Sequence, residues 1–164
     1  MKLKMTLALV ALAAAPIFAD DFGKEFAKHW LTAKDLTLAV ADAMPAADYA
    51  FKPNPEEMSF GEQMVHIAGA NYSYCSRLSG AKSPFAKPAK SDQPTAVKLL
   101  GESFDYCATQ VGNIKDFDAQ MGPEGKKIGV REIMLGALMH MAHHRGQAEV
   151  YLRVKGVKPP AYKF

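Results

Sequence analysis

The chain has 164 residues, of which 49% are hydrophobic and 23% are charged, and this is sufficient for one domain with a hydrophobic core of its own. Its formal net charge is +3, with no run of basic residues and no basic stretch interleaved with aromatic ones. This composition argues against nucleic acid or an anionic membrane surface as the partner.

The start of the chain has the pattern of a secretory signal peptide. Two lysines precede an apolar run that ends at Phe18, and the small residue Ala19 then offers a cleavage site. The run is too short to span a bilayer. We therefore expect residues 1–19 to be removed and the mature protein, residues 20–164, to be periplasmic or secreted, without membrane association. Its formal charge is then +1, from 18 Lys and Arg against 17 Asp and Glu.

From Asp21 the mature chain is predicted to be helical. Apolar residues recur there at three- and four-residue steps and make one stripe; they are Phe22, Phe26, Trp30, Ala33, Leu36, Val40 and Met44. Pro45 ends this first helix. After a proline-marked loop, Ser59 and Glu62 fit the capping box of a second helix, which is predicted to run to about Leu78.

A long connection follows the second helix. The stretch "SGAKSPFAKPAKSDQP", residues 79–94, contains three prolines and has neither helical nor strand periodicity. A connection of this length is typical of a crossover from one end of a helical bundle to the other.

Two further helices are predicted beyond this connection. The third begins near Ser91 or Asp92, and the fourth runs from about Gly129 to Lys155. No stretch shows the alternation that indicates a strand. The sequence therefore predicts an all-α four-helix bundle whose long crossover joins helices 2 and 3.

Three histidines lie where two helices of such a bundle can bring them together. His140 and His144 are four residues apart on the fourth helix, so their rings project from one face. A lone histidine on this apolar face is more often a hydrogen-bonded core residue, whereas His66 on the second helix completes a set of three. Such a set can hold a metal ion and leave coordination positions open. His143 points away from that face and is predicted to lie at the rim or to support a ligand rather than bind the ion, and His29 is predicted to be a packing or surface residue.

One absence bears on the chemistry. Zinc peptidases of the H-E-x-x-H type carry their glutamate base directly after the first histidine, whereas this chain has Met141 at that position. Peptidase activity is therefore disfavoured.

These residues and their surroundings resemble the DinB-like metal-binding superfamily. "YAFKPNPEEMSFGEQMVHIAGAN" is similar to its first loop and second helix, and "HRGQAEVYLRVKGVKPPAY" is similar to its last helix and tail. The resemblance implies helices in up-down-down-up order, one divalent metal on three histidines, and a homodimer. Some members are thiol transferases or isomerases that use low-molecular-weight thiols, and many have no assigned reaction.

The resemblance and the residues together predict one divalent ion on His66, His140 and His144. Zinc is the first expectation, with nickel and iron(II) as alternatives, because imidazole suits all three ions. Bound to neutral ligands, the ion keeps its full charge and favours ionisation of a water or thiol. The function expected is that of a metal-dependent hydrolase or thiol transferase acting on a small molecule. The alternative is a non-catalytic metal-binding or ligand-binding stress protein.

The residues that surround the predicted ligands can be interpreted in more than one way. Gln63 and Gln147 lie at helical spacing from the histidines and either tune the site or are ordinary polar residues. Arg145 either binds an acidic group at the mouth of the site or is a solvated charge, and the solvated charge is favoured. No catalytic residue is identified.

Cys75 and Cys107 are the only cysteines of the chain. Export would bring them into an oxidising compartment, where a disulfide can form. A disulfide and a pair of buried thiols both remain open, because the two helices must first be shown to face each other.

Overall fold

The computed structural model describes residues 21–164. Within this range the chain forms four α-helices: α1 (Asp21–Ala43), α2 (Phe60–Arg77), α3 (Gln93–Gly112) and α4 (Val130–Val154). The predicted signal peptide, residues 1–19, and its cleavage site lie outside the described residues. None of the described helices is long and apolar enough to cross a membrane.

The helices form a bundle in which α1 and α2 each pack against both α3 and α4. Contacts between side chains fix their directions. Between α2 and α3, Asn71 contacts Ser103 and Ser76 contacts Tyr106. Between α1 and α4, Phe22 contacts Arg131 and Thr37 contacts Met141. Between α1 and α3, Trp30 contacts Phe104 and Met44 contacts Gln93. The pairs α2–α3 and α1–α4 are therefore parallel, and α1 is antiparallel to α3. The order is up-down-down-up, and the predicted all-α four-helix bundle is confirmed.

The ends of the helices follow from the capping residues that the sequence predicts. The side chain of Ser59 accepts a hydrogen bond from the Glu62 backbone N–H, and the Glu62 carboxylate accepts one from the Ser59 N–H at 2.7 Å. Asp92 caps α3 by accepting from the Thr95 N–H at 3.1 Å. Both caps satisfy backbone donors that have no partner inside the helix. Gly156 follows α4 with a φ of 75°, a conformation that glycine adopts without steric cost.

The core lies where the apolar faces of the four helices meet. Of the predicted stripe on α1, six residues from Phe26 to Met44 are buried, and Phe22 is partly buried against the same core. The Trp30 indole N–H donates to the Phe104 carbonyl at 3.1 Å, so the one polar atom of this ring is satisfied inside the core.

The crossover, residues 79–92, joins the C-terminal end of α2 to the N-terminal end of α3 and passes along the outside of α2. It is held there at two glycines of that helix. A Cβ at Gly61 would lie 1.9 Å from the Ser91 carbonyl oxygen, and a Cβ at Gly69 would lie 2.9 Å from the Phe85 ring. At Gly61 the close neighbour is backbone, so only a residue without a side chain allows this approach. At Gly69 the neighbour is the side chain of Phe85. The backbone path of the crossover is therefore fixed at Gly61, and Phe85 packs against α2 at Gly69.

A short hairpin interrupts the loop between α3 and α4. Strand β1 (Gln120–Met121) pairs antiparallel with β2 (Ile128–Gly129). The prediction that the chain has no strand is wrong here, because two residues per strand are too few to show the alternation on which it depends.

Candidate metal centre

The antiparallel packing of α2 against α4 brings His66, His140 and His144 together. Each histidine has a ring nitrogen that lies within 4.8 Å of a ring nitrogen of each of the other two. The ring centroids are 4.4 to 5.0 Å apart. The four-residue spacing on α4 puts two imidazoles on the face that meets α2, as the sequence predicts. The three histidines are positioned to bind a metal ion.

The polar atoms of the cluster support this assignment. Nδ1 of His140 is buried and has no hydrogen-bond partner within residues 21–164. Buried polar atoms are nearly always satisfied, and a coordinate bond to a metal ion is one way to satisfy an imidazole nitrogen. His66 is exposed, whereas His140 and His144 are partly buried. The cluster therefore opens to the surface on the His66 side, where a ligand can reach it.

Gln63 orients one of the three rings. Its side chain is 1% exposed, and its Oε1 accepts a hydrogen bond from His144 Nδ1 at 2.9 Å. The Gln63 amide N–H₂ in turn donates to Gln147 Oε1 at 3.4 Å. An amide oxygen can only accept, so this bond keeps the proton on Nδ1 and leaves the Nε2 lone pair free. Such outer contacts fix the tautomer and direction of a ligating imidazole.

Partial desolvation of the rings lowers the pKa of all three histidines. For His66, which is exposed as a residue but has part of its ring against the cluster, this desolvation is the only cause, and for His140 the neighbouring imidazoles His66 and His143 add to it. The pKa of His144 falls to about 4, chiefly through burial and then through the three nearby imidazoles, while a hydrogen bond with Gln147 opposes the shift. The rings are therefore neutral at pH 7, which is the form that binds a metal ion.

The other two histidines lie outside this cluster. His143 is exposed, and its ring centroid lies 5.0 Å from that of His144. His29 is on α1, where its ring packs against Phe164 with the centroids 4.9 Å apart. Among the described residues, the group that could hold a metal contains neither of them and contains no carboxylate.

The interpretation of Arg145 as a solvated charge is wrong. The residue is only 9% exposed and lines a cavity of about 260 Å³ between α1 and α4, together with Leu36 and Met141. Its Nε lies 3.7 Å from the Glu149 carboxylate. Arg145 directly follows His144, but one residue turns a helix by about 100°, and here that turn carries the side chain toward α1.

The two cysteines are paired. Cys75 on α2 and Cys107 on α3 form a disulfide whose Cα atoms are 5.2 Å apart, and both residues are buried. The sequence was compatible with either a disulfide or two buried thiols. The parallel packing of α2 and α3 brings the two cysteines together, and they form the disulfide. The bond closes the loop that contains the crossover.

A groove beside the histidine cluster was not foreseen from the sequence. It has a volume of about 590 Å³ and lies between α2 and the crossover, with His66 in its wall. Basic Lys87 and Lys90 line it, together with apolar side chains such as Val65 and Phe85. The crossover has no periodicity that could have indicated which of its residues face α2.

Comparison with known proteins agrees with this architecture. The sequence model of the DinB family matches residues 19–164. An uncharacterized protein of Bacillus subtilis (strain 168), YjoA, is 24% identical over 141 residues, which cover 80% of this chain and 90% of that protein.

Solved structures with the same fold include three DinB-like proteins. That of Bacillus subtilis YjoA has a TM-score of 0.70 at 23% identity and covers 85% of this chain and 97% of its own. One from Bacillus cereus ATCC 10987 has a TM-score of 0.73 at 17% identity with the same coverage. A putative member from Exiguobacterium sibiricum 255-15 has a TM-score of 0.67 at 20% identity, covering 89% and 97%. At these identities the likeness shows the fold alone.

Proposed function

The chain belongs to the DinB family, and we propose that it is an exported protein that binds one divalent ion through His66, His140 and His144 and acts on a small molecule there. The observation that carries the proposal is the convergence of three neutral imidazoles on a point that opens to the surface. Zinc is the first candidate ion, with nickel and iron(II) as alternatives, since imidazole nitrogen suits all three.

Three neutral ligands leave coordination positions open on the ion. An ion held in this way promotes ionisation of a bound water or thiol near neutral pH. This chemistry supports a hydrolase or a thiol transferase. The contribution of the protein is to hold the ligand nitrogens in place, and Gln63 serves this by fixing the tautomer of His144.

A second candidate is a non-catalytic metal-binding or ligand-binding stress protein. The histidine cluster includes no carboxylate that could act as a general base, and Met141 occupies the position of the peptidase glutamate. This absence among the described residues favours either thiol chemistry, which needs no such base, or simple binding.

The metal assignment is tested by the metal content of five single alanine variants, one for each histidine of the chain. Alanine at 66, 140 or 144 should abolish binding, whereas His143→Ala and His29→Ala should keep one ion per chain. X-ray fluorescence of protein purified without added metal identifies the ion. Loss of the ion in His143→Ala with retention in His66→Ala would show a differently built site.

Export is part of the proposal and rests on the signal-like pattern of residues 1–19. Mass spectrometry of the protein from the periplasm of a Gram-negative host should give a chain that begins near Asp20. An intact Met1 in that fraction contradicts the proposal.

We also propose a homodimer. In its support, α4 carries four exposed apolar residues within one side of the helix: Leu135, Met139, Val150 and Val154. Apolar side chains exposed along one side of a helix are suited to burial against a second copy of the chain. Light scattering at micromolar concentration should give twice the chain mass, and a single species at monomer mass contradicts the dimer.

A further inference from the structure

We infer that the groove between α2 and the crossover is a binding site for the acidic end of a small amphipathic molecule whose other end reaches the histidine cluster. The acidic group is a carboxylate or a phosphate, and Lys87 and Lys90 bind it. This inference rests on the proposed function and adds to it the chemical class of the ligand.

The groove is built into the fold. Its crossover wall meets α2 at Gly61, where the Ser91 carbonyl approaches closely, and at Gly69, against which the Phe85 ring packs. Phe85 also stacks on Tyr72, with ring centroids 6.1 Å apart. A wall held at two positions of one helix keeps its spacing when no ligand is bound, and a preformed site binds with a smaller entropic cost.

His66 connects the groove to the proposed metal site. Its side chain lines the groove and also belongs to the histidine cluster. Val65, Gly69 and Ala70 continue the same wall along α2. A molecule in the groove therefore lies beside the open side of the cluster. The volume of about 590 Å³ is in the usual range for small-molecule sites.

The charges of the groove favour an anion. Lys87 and Lys90 are exposed on the crossover, and in the described part of the chain neither lies within ion-pair distance of a carboxylate. Asp92, which does not line the groove, is near enough to Lys90 for that lysine to help lower the pKa of its carboxyl. The acidic residue of the lining, Glu62, accepts the capping hydrogen bond of Ser59 and lies 3.5 Å from Lys52 Nζ. Its charge is therefore compensated outside the groove. The two lysines leave a positive potential next to apolar side chains, which suits an amphipathic acid.

The test uses the full chain loaded with cobalt(II), whose visible absorption reports the binding of a thiol to the ion. The probes are ω-mercaptoalkanoates from mercaptoacetate to mercaptohexanoate, the matching neutral mercaptoalkanols and a mercaptoalkyl phosphate. We expect one chain length of the acid to bind about tenfold more tightly than its neutral counterpart, the magnitude of two solvent-exposed ion pairs. The carboxylate and phosphate arms distinguish the two acidic groups.

The double variant Lys87→Gln/Lys90→Gln should lose this preference and keep its affinity for the neutral thiols. Lys82→Gln is the matched control, because Lys82 lies on the same crossover but does not line the groove. Equal affinity for charged and neutral probes, or a preference that survives in the double variant, overturns the inference.

A second measurement separates this inference from the proposed function. Hexanoate has no thiol, and in the metal-free protein it should shift the backbone amide resonances of Gly69 and Lys87, whereas hexanol should shift them less. If cobalt responds to no thiol but hexanoate shifts these amides, the proposed metal chemistry fails and the anion site is supported. If hexanoate leaves them unchanged, the anion site is refuted.

Discussion

Gln63 and His144 are joined across the α2–α4 interface by a hydrogen bond of 2.9 Å between the amide oxygen and Nδ1. Gln63→Leu removes the acceptor and leaves the His144 ring free to rotate or change tautomer. We expect the affinity for zinc to fall by about 10- to 100-fold, as is usual for such supporting contacts. Competition with a chromophoric chelator measures the affinity.

Gln63→Glu is the informative companion variant, because it keeps an oxygen acceptor and should retain wild-type affinity or exceed it. Gln147→Leu should have a smaller effect, since it leaves the 2.9 Å hydrogen bond between Gln63 and His144 in place. Unchanged affinity in Gln63→Leu would show that the histidines alone determine it.

The metal-free protein should lose stability as the pH falls from about 6.5 toward 4. In the unfolded chain the three imidazoles titrate near their ordinary pKa of about 6.5, whereas burial lowers the pKa in the folded state, to about 4 for His144. Between these values the unfolded state binds more protons than the folded state, so the free energy of unfolding decreases as the pH falls. Below about pH 4 His144 is protonated in both states and contributes no further change. Urea denaturation at a series of pH values measures this.

His144→Gln provides the control for that titration. It removes the histidine whose pKa falls to about 4, so the slope of stability against pH between 6.5 and 4 should be smaller than in the wild type. Identical slopes would assign the pH dependence to other groups.

Reduction of the disulfide should destabilise the protein by about 3–4 kcal/mol, as the loop-entropy relation gives for a separation of 32 residues. The urea midpoint of the wild type with and without a reductant measures the change. The double variant Cys75→Ala/Cys107→Ala should not respond to the reductant. A wild-type midpoint that is insensitive to reductant, with the bond shown to be broken, would contradict this role.

Two glycine-to-alanine substitutions should have opposite effects. At Gly101 on α3 a Cβ meets nothing within 4 Å, so alanine should stabilise the helix by up to about 1 kcal/mol. At Gly69 the new methyl group would meet the Phe85 ring, and overpacking of about 1–3 kcal/mol should exceed the helical gain. Thermal denaturation of both variants tests this, and a stabilised Gly69→Ala would show that the crossover yields easily.

The main features of the fold could be predicted from local chemistry. Capping side chains at Ser59 and Asp92 mark where helices begin, and the apolar stripe of α1 identifies its buried face. Two members of the histidine cluster could be predicted because His140 and His144, four residues apart on one helix, share a face of that helix however the bundle is arranged. His66 on the second helix completed the set of three from the sequence alone, and the resemblance to a family agreed with it.

The features that were missed depend on how elements meet. A charged side chain next to His144 is expected to be solvated. Only the packing of α1 against α4 reveals that the side chain of Arg145 is buried. The groove arises from the path of the crossover, and that path is set by its contact with Gly61 and Gly69. Such contacts join residues far apart in sequence and leave no periodic pattern.

The disulfide makes the crossover part of a covalent ring that begins at Cys75 and ends at Cys107. A protease that cuts one peptide bond within this ring releases no fragment, because sulfur still joins the portion that carries His66 to the portion that carries His140 and His144. The exposed crossover is where such a cut is most accessible. A nicked molecule would keep its histidines on one covalent unit and lose only the continuity of the groove wall.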